Sequence, residues 1–308
     1  MPLLRRRAVF AAIVETTIGT AETLTATEGV FNARDFEIQP SVAMTRREGQ
    51  GGFNYLVSIP EGMQGTCKIV HDIAYDGTNI PTWASVLLPA CGWVNDAGTF
   101  KPKSEGPGSN VKTLTIGHYK DGKRSLLTGA MGTFKIVCPT GKVASIEFTF
   151  TGKYSSNETD TALIAPTYPT TLPMRFSAGA LTWNSVNLCT SNVEIDAGNT
   201  VIMRECVNAS DRSGYVSALV TNRVPVITAD PESVLVATQD RDAAWLTSLA
   251  YALSIQIGSA GSSVTIAAPK AQLENKQAGN RNDLMVDNLT WLATAGSAAD
   301  TELTIAFD

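Results

Sequence analysis

The chain has 308 residues, 44% of them hydrophobic and 17% charged, with a net charge of −5. A charged share below the roughly 25% typical of soluble domains excludes a disordered chain and a coiled coil. No run reaches the roughly 20 apolar residues of a membrane-spanning helix, so no membrane anchoring is expected.

From the N-terminus, Arg5-Arg6-Arg7 precedes an apolar run, Ala8 to Val14, that stops at Glu15. The run is short for a signal peptide and lacks a small-residue cleavage site, so folding in the cytoplasm is expected. The cysteines Cys67, Cys91, Cys138, Cys189 and Cys206 include no Cys-x-x-Cys pair and read as free, mostly buried thiols.

A repeat then emerges. Phe36-Glu37-Ile38, Arg47-Glu48, Tyr55 and Lys68-Ile69-Val70 return as Val193-Glu194-Ile195, Arg204-Glu205, Tyr215 and Val224 to Ile227. Ile38 and Ile195 lie 157 positions apart, as do Arg47 and Arg204. Each copy next predicts a short helix containing a Trp. Around Trp83, Pro81 suits the first turn, and Pro89 with Gly92 ends it. Around Trp245, Ala243, Leu246, Leu249, Ala250 and Leu253 fall at helical spacing, with Asp242 placed to help cap the start. Strands follow in matching order. Leu114–Gly117 answers to Ser254–Gly258, Thr133–Ile136 to Ala271–Glu274, and Ile146–Phe150 to Leu289–Leu292, with Phe148 and Trp291 143 apart. The Gly92–Val111 segment, rich in Gly, Pro and Lys, has no counterpart.

These signals predict a mainly β chain of two tandem β-sandwich or barrel domains, 1–155 and 156–308, each with one short α-helix. The turn-rich Gly152–Asp160 stretch marks the boundary, and Pro166, Pro169 and Pro173 predict an extended arm laid on a surface. Residues 1–155 carry 16 basic and 13 acidic side chains, a net +3; residues 156–308 carry 8 and 16, a net −8.

Chemistry is sparse. His71 and His118 are the only histidines, and strand neighbours such as His71 and Asp72 point to opposite faces. No Cys/His group has zinc spacing. Asp230, Glu232, Asp240 and Asp242 lack a calcium loop's spacing and read as a solvated turn. Gly49–Gly52 lacks the Lys-Ser/Thr of a phosphate loop and reads as a hairpin tip. No catalytic, cofactor or metal site is expected, and no enzyme.

Three stretches resemble the major tail tube proteins of long-tailed (siphovirus-type) bacteriophages. They are Trp83 with Leu87-Leu88-Pro89-Ala90-Cys91-Gly92; Tyr119-Lys120-Asp121-Gly122 leading to Gly129-Ala130-Met131-Gly132-Thr133-Phe134; and Ile146–Gly152 after Pro139-Thr140-Gly141. The second half keeps only the coarse order, so the resemblance reaches it through the repeat. It implies β-sandwich domains in stacked rings, a hollow tube through which double-stranded DNA passes, and location in the virion tail after assembly in the host cytoplasm. The partners it implies are further copies of the chain, a tape measure protein, a tail terminator and distal tail proteins. Such rings usually hold six domains, so two per chain would give a trimeric pseudo-hexamer.

Within this reading, contacts are expected from a hairpin carrying Arg46, Arg47, Glu48, Gly51, Phe53 and Tyr55, and from its counterpart with Arg204, Glu205 and Tyr215. Both are expected to reach an adjacent ring. Lys101 and Lys103 in the unmatched segment, and arms at Leu3–Thr27 and Leu303–Asp308, are the other candidates. Two alternatives remain: a secreted or surface β-sandwich binding module, which calls for an export signal and clustered exposed aromatics, and another ring-forming tail component such as a tail terminator.

Overall fold

Period-two alternation becomes strand almost everywhere. The computed structural model describes residues 3–154, 156–177, 179–209, 211–259 and 261–308; Ser155, at the expected boundary, lies outside them. In the first half come β1 (Ala8–Val14), the long hairpin β2 (Ala33–Glu48) and β3 (Tyr55–Asp72), helix α1 (Thr82–Leu87), the small hairpin β4 (Trp93–Asp96) and β5 (Thr99–Pro102), β6 (Leu114–Lys120), β7 (Lys123–Pro139), β8 (Ser145–Lys153) and β9 (Thr159–Asp160). The second half holds β10 (Leu181–Trp183), β11 (Val186–Asn187), β12 (Asn192–Asp196), β13 (Asn199–Glu205), β14 (Tyr215–Arg223), β15 (Val226–Ala229), α2 (Arg241–Leu246), β16 (Ala250–Ser259), β17 (Ser262–Arg281), β18 (Leu284–Thr294) and β19 (Thr304–Phe307). Two-residue turns with both φ angles positive match the twist of the strands they join. Asp121-Gly122 closes β6–β7, and Asn282-Asp283 closes β17–β18.

Strand pairing, all antiparallel, runs in the same order twice. In the first half it is β1, β6, β7, β8, β3, β2, with β9 beside β8 on the same edge of β7. In the second half it is β10, β16, β17, β18, β15, β12, with β19 beside β18 on β17. Matching rungs carry matching core residues. Ile69, Phe148 and Phe134 lie side by side across β3, β8 and β7; Ile227, Trp291 and Leu273 do so across β15, β18 and β17. All six are buried, each large side chain contributing roughly 1.5–3 kcal/mol. The first sheet curls until Phe36 of β2 packs on Phe10 of β1 and His118 of β6, with ring centroids 6.0 and 5.1 Å away.

The halves share one apolar core and one sheet. Antiparallel β7 and β12 join them edge to edge, from Pro139 opposite Asn192 to Lys135 opposite Asp196. A second tie pairs β5 with β19, Phe100 opposite Ile305.

Several expectations need correction. The second helix stops at Leu246, because Ser248 takes a left-handed φ of 58° and the chain enters β16 at Ala250. Its cap is Asp240, which accepts the Ala243 N–H at 2.8 Å, and not Asp242, which pairs with Lys276. Leu246 stays exposed, so helical spacing there did not mark a buried face. The two terminal segments are largely not free arms: Ala8–Val14 pairs with β6, and β19 pairs with β17 and β5. Alternating apolar side chains in both claim places in the chain's own sheet. The proline-rich stretch is extended as expected, and its end lies along the first half: the Met174 N–H donates to the Ile73 carbonyl, and the Ala144 N–H to the Met174 carbonyl.

Burial, and then the nearby Lys120 ammonium, push the His118 imidazole down to about 4, against an opposing pull from Glu158. The unfolded ring takes up a proton near 6.5 that the folded ring refuses until about 4. Stability is therefore lost as pH falls between these values. His118→Gln should flatten that part of the profile in urea melts; an unchanged slope would assign the pH dependence elsewhere.

Candidate assembly interface

The two long hairpins have equivalent sequences and opposite fates. In the second copy, the strand that leaves the sheet bends at Gly198, whose φ is +62°. A Cβ there would lie 1.9 Å from the Val224 carbonyl oxygen, so only glycine permits the close crossing. Beyond this pivot β13 and β14 form a separate two-stranded arm that lies across β7 and β8 of the first half.

Each part of the arm has its own seat. At the base, the Asn199 side-chain amide donates to the carbonyls of Cys91 (2.8 Å) and Gly132 (2.9 Å). Along its length Val201, Met203, Ala218 and Val220 pack on Val111 and Met131. Gly129 leaves room for the backbone of Ser217, since a Cβ would sit 2.9 Å from its Cα. Near the tip, Lys153, its side chain 3% exposed, holds Asp211 at 2.8 Å. Burial works to raise the Asp211 carboxyl, but hydrogen bonds from Lys153 and Ser213 hold it below its ordinary value. The tip then meets the first hairpin, where the Met63 N–H donates to the Ser213 carbonyl at 3.3 Å and Tyr215 stands over Gly62.

Beneath the arm, buried Glu15 fixes the floor. Its carboxylate accepts the Gly19 and Gly129 N–H groups, both at 2.7 Å, and the hydroxyls of Thr113 (2.6 Å) and Thr115 (3.0 Å). Sequence reading missed Glu15, Lys153, Gly198 and Asn199, whose partners are distant in the chain. The one local sign was a carboxylate ending an apolar run.

The first hairpin has no such seat. Arg46, Arg47 and Glu48 end β2, Gly51 (φ +80°) and Phe53 form the tip, and Tyr55 opens β3, all exposed. Phe53 is fully exposed and Val57 86% exposed. The final rung is Glu48 opposite Tyr55, and in the docked arm it is Glu205 opposite Tyr215. Glu205 and Tyr215 therefore meet the base of the first hairpin, while its own tip residues touch nothing comparable. Of the two hairpins expected to reach an adjacent ring, the first stands exposed, and the second, with Arg204 exposed on it, docks within its own chain.

Lys101 pairs with Asp96 at 2.7 Å within the β4–β5 hairpin, and Lys103 stands exposed at the rim of a groove of about 750 Å³. That groove runs between β14 and the end of β18, over Leu292 and Thr294. Asp230, expected in a solvated turn, instead anchors the start of β12. It accepts the Ser191 and Asn192 N–H groups, the Thr190 and Ser191 hydroxyls, and Arg281. Burial opposes its ionisation, but the hydroxyls of Ser191 and Thr190 and the two N–H groups hold its carboxyl at about 2.

No protein-family model and no curated protein matches the chain. No helix among the described residues is long and apolar enough to cross a membrane.

Proposed function

We propose that this chain is a structural subunit that polymerises with copies of itself into stacked rings, forming a hollow tube of the phage-tail kind. The observation that carries the reading is the β7–β12 joint. Two halves with the same strand order meet side by side through an edge ladder, as neighbouring domains of a ring would. A joint between unlike edges is head-to-tail, and repetition of such a joint generates rings or helical filaments. The net charges of +3 and −8 on the halves favour unlike neighbours over like ones.

Six domains per ring would then come from three chains. In the tail setting the tube would carry double-stranded DNA during delivery, enclose a tape measure protein during assembly, and end on tail terminator and distal tail proteins. A lumen for sliding DNA should lack clustered Lys and Arg, and the acidic balance of the chain accords with that. The role needs no catalytic group or cofactor. Negative-stain microscopy of the concentrated protein tests the reading: hollow filaments are expected. Closed rings that never stack would favour a terminator-like role, and dispersed monomers would reject assembly.

A further inference from the structure

We infer that the β2 edge at Ala33–Gln39 of one chain pairs antiparallel with the β17 edge at Asn275–Arg281 of a second copy, seating the first chain's exposed hairpin on the second copy's β17–β18 face. The inference rests on the self-assembly reading and names the surfaces that carry it.

The chain already makes this contact once, between its own halves. By strand order β12 corresponds to β2 and β7 to β17, so the intermolecular equivalent of the β7–β12 joint is a β17–β2 joint. Both strands are open where that requires. Among the described residues β2 pairs with β3 alone, leaving its outer edge without a strand. In β17, β16 covers one edge only as far as Gln272, and β18 takes the opposite edge through Arg281. At Glu274 the backbone carbonyl accepts the Trp245 indole N–H from α2 at 2.9 Å. Beyond it, among the described residues, no strand pairs with the 275–281 edge, as none would with the 135–139 edge of β7 without β12. Pro40, with no N–H to donate, limits a ladder on β2 to the residues before it.

The hairpin's seat is present too. Leu292 and Thr294, on the floor of the 750 Å³ groove, correspond to Thr149 and Thr151 of β8, one of the two strands beneath the docked arm. The groove wall at Thr221–Val224 corresponds to Glu61–Gln64, the place the docked arm reaches with Ser213 and Tyr215. The hairpin that would fill it carries exposed Val42, Met44, Tyr55, Leu56, Val57 and Ile59. Left uncovered, a long apolar edge hairpin is an aggregation hazard, and the same contact on a neighbour removes it.

The register follows from the internal joint. Glu194, opposite Thr228, faces Val137 there; the matching rungs hold Arg34, opposite Val70, and Gln277, opposite Asn288, so Arg34 faces Gln277 between chains. Tyr215 over Gly62 maps to Tyr55 over Asn222. Both pairs use exposed positions. The directly opposed ladder pair Arg34 and Gln277 lies within disulfide reach, whereas Tyr55 and Asn222 meet only through the tip of the tyrosine ring. In a full-length Cys189→Ser, Cys206→Ser background, protein with Arg34→Cys is mixed with protein carrying Gln277→Cys under assembly conditions and oxidised. A reducible covalent dimer is expected in the mixture and in neither preparation alone. A crosslink is likewise expected for Tyr55→Cys mixed with Asn222→Cys when a short bis-maleimide, spanning the length of the lost ring, replaces the oxidant. Rings or filaments under the microscope with neither crosslink would overturn this inference and leave self-assembly standing. Crosslinking of the Arg34→Cys preparation with itself would overturn it in favour of a symmetric β2–β2 dimer. Monomers with no crosslink would overturn both readings.

Discussion

Asp211→Ala is expected to lower the unfolding free energy by about 3–5 kcal/mol, because it strands the Lys153 ammonium in a buried site with its carboxylate gone. The Lys153 side chain is 3% exposed, and Asp211 is its ion-pair partner at 2.8 Å. Water reaches the vacated position too poorly to solvate the charge fully. The arm should loosen along with the global loss, since Asp211 sits near its tip while Asn199 and the Val201–Met203 face hold only its base and middle. Urea denaturation measures the first effect, and hydrogen exchange over 199–223 the second. Lys153→Met combined with Asp211→Ala should recover much of the loss, because no uncompensated charge remains. A single-variant cost below about 0.5 kcal/mol, within the ordinary range for surface changes, would show that the pair is solvated and that the arm is held by packing alone.

Replacing Glu48–Tyr55 by an Asn-Gly turn, which keeps Arg47 opposite Leu56, should abolish polymerisation while leaving the monomer folded. The removed tip side chains Phe53 and Tyr55 are exposed, so monomer stability should change by no more than about 0.5 kcal/mol. The two-residue turn suits the twist of the shortened strands. The expected pattern is an unchanged circular dichroism spectrum and melting midpoint, with a sedimentation profile of monomer alone. Filaments equal in length and number to those of the parent would remove the first hairpin from the interface.

Much of the strand framework was legible because alternation is a local property. Ile146–Phe150 and Leu289–Leu292 could be paired from sequence, and the 143-residue spacing of Phe148 and Trp291 is the spacing of equivalent rungs. The Glu48–Tyr55 and Glu205–Tyr215 rungs likewise sit where the repeat places them. Helix α2 was misjudged in length because Leu249 and Leu253 fit a helical period, whereas left-handed Ser248 and the pairing of Leu253 with Ala268 decide for strand. The terminal segments read as arms because nothing local reveals that Ala8–Val14 has an edge waiting at β6. Least legible was which hairpin docks. That depends on Gly198 with Asn199, Lys153 and Glu15 converging from three places in the chain, and no short window contains such a convergence.

Helical cryo-EM reconstruction of the assembled protein tests the central claim most directly. The account predicts three chains per ring, the two halves of each filling adjacent positions, with continuous density between β2 of one chain and β17 of the next. True sixfold rings with one whole chain at each position, or neighbours meeting through other surfaces while these edges stay bare, would contradict it.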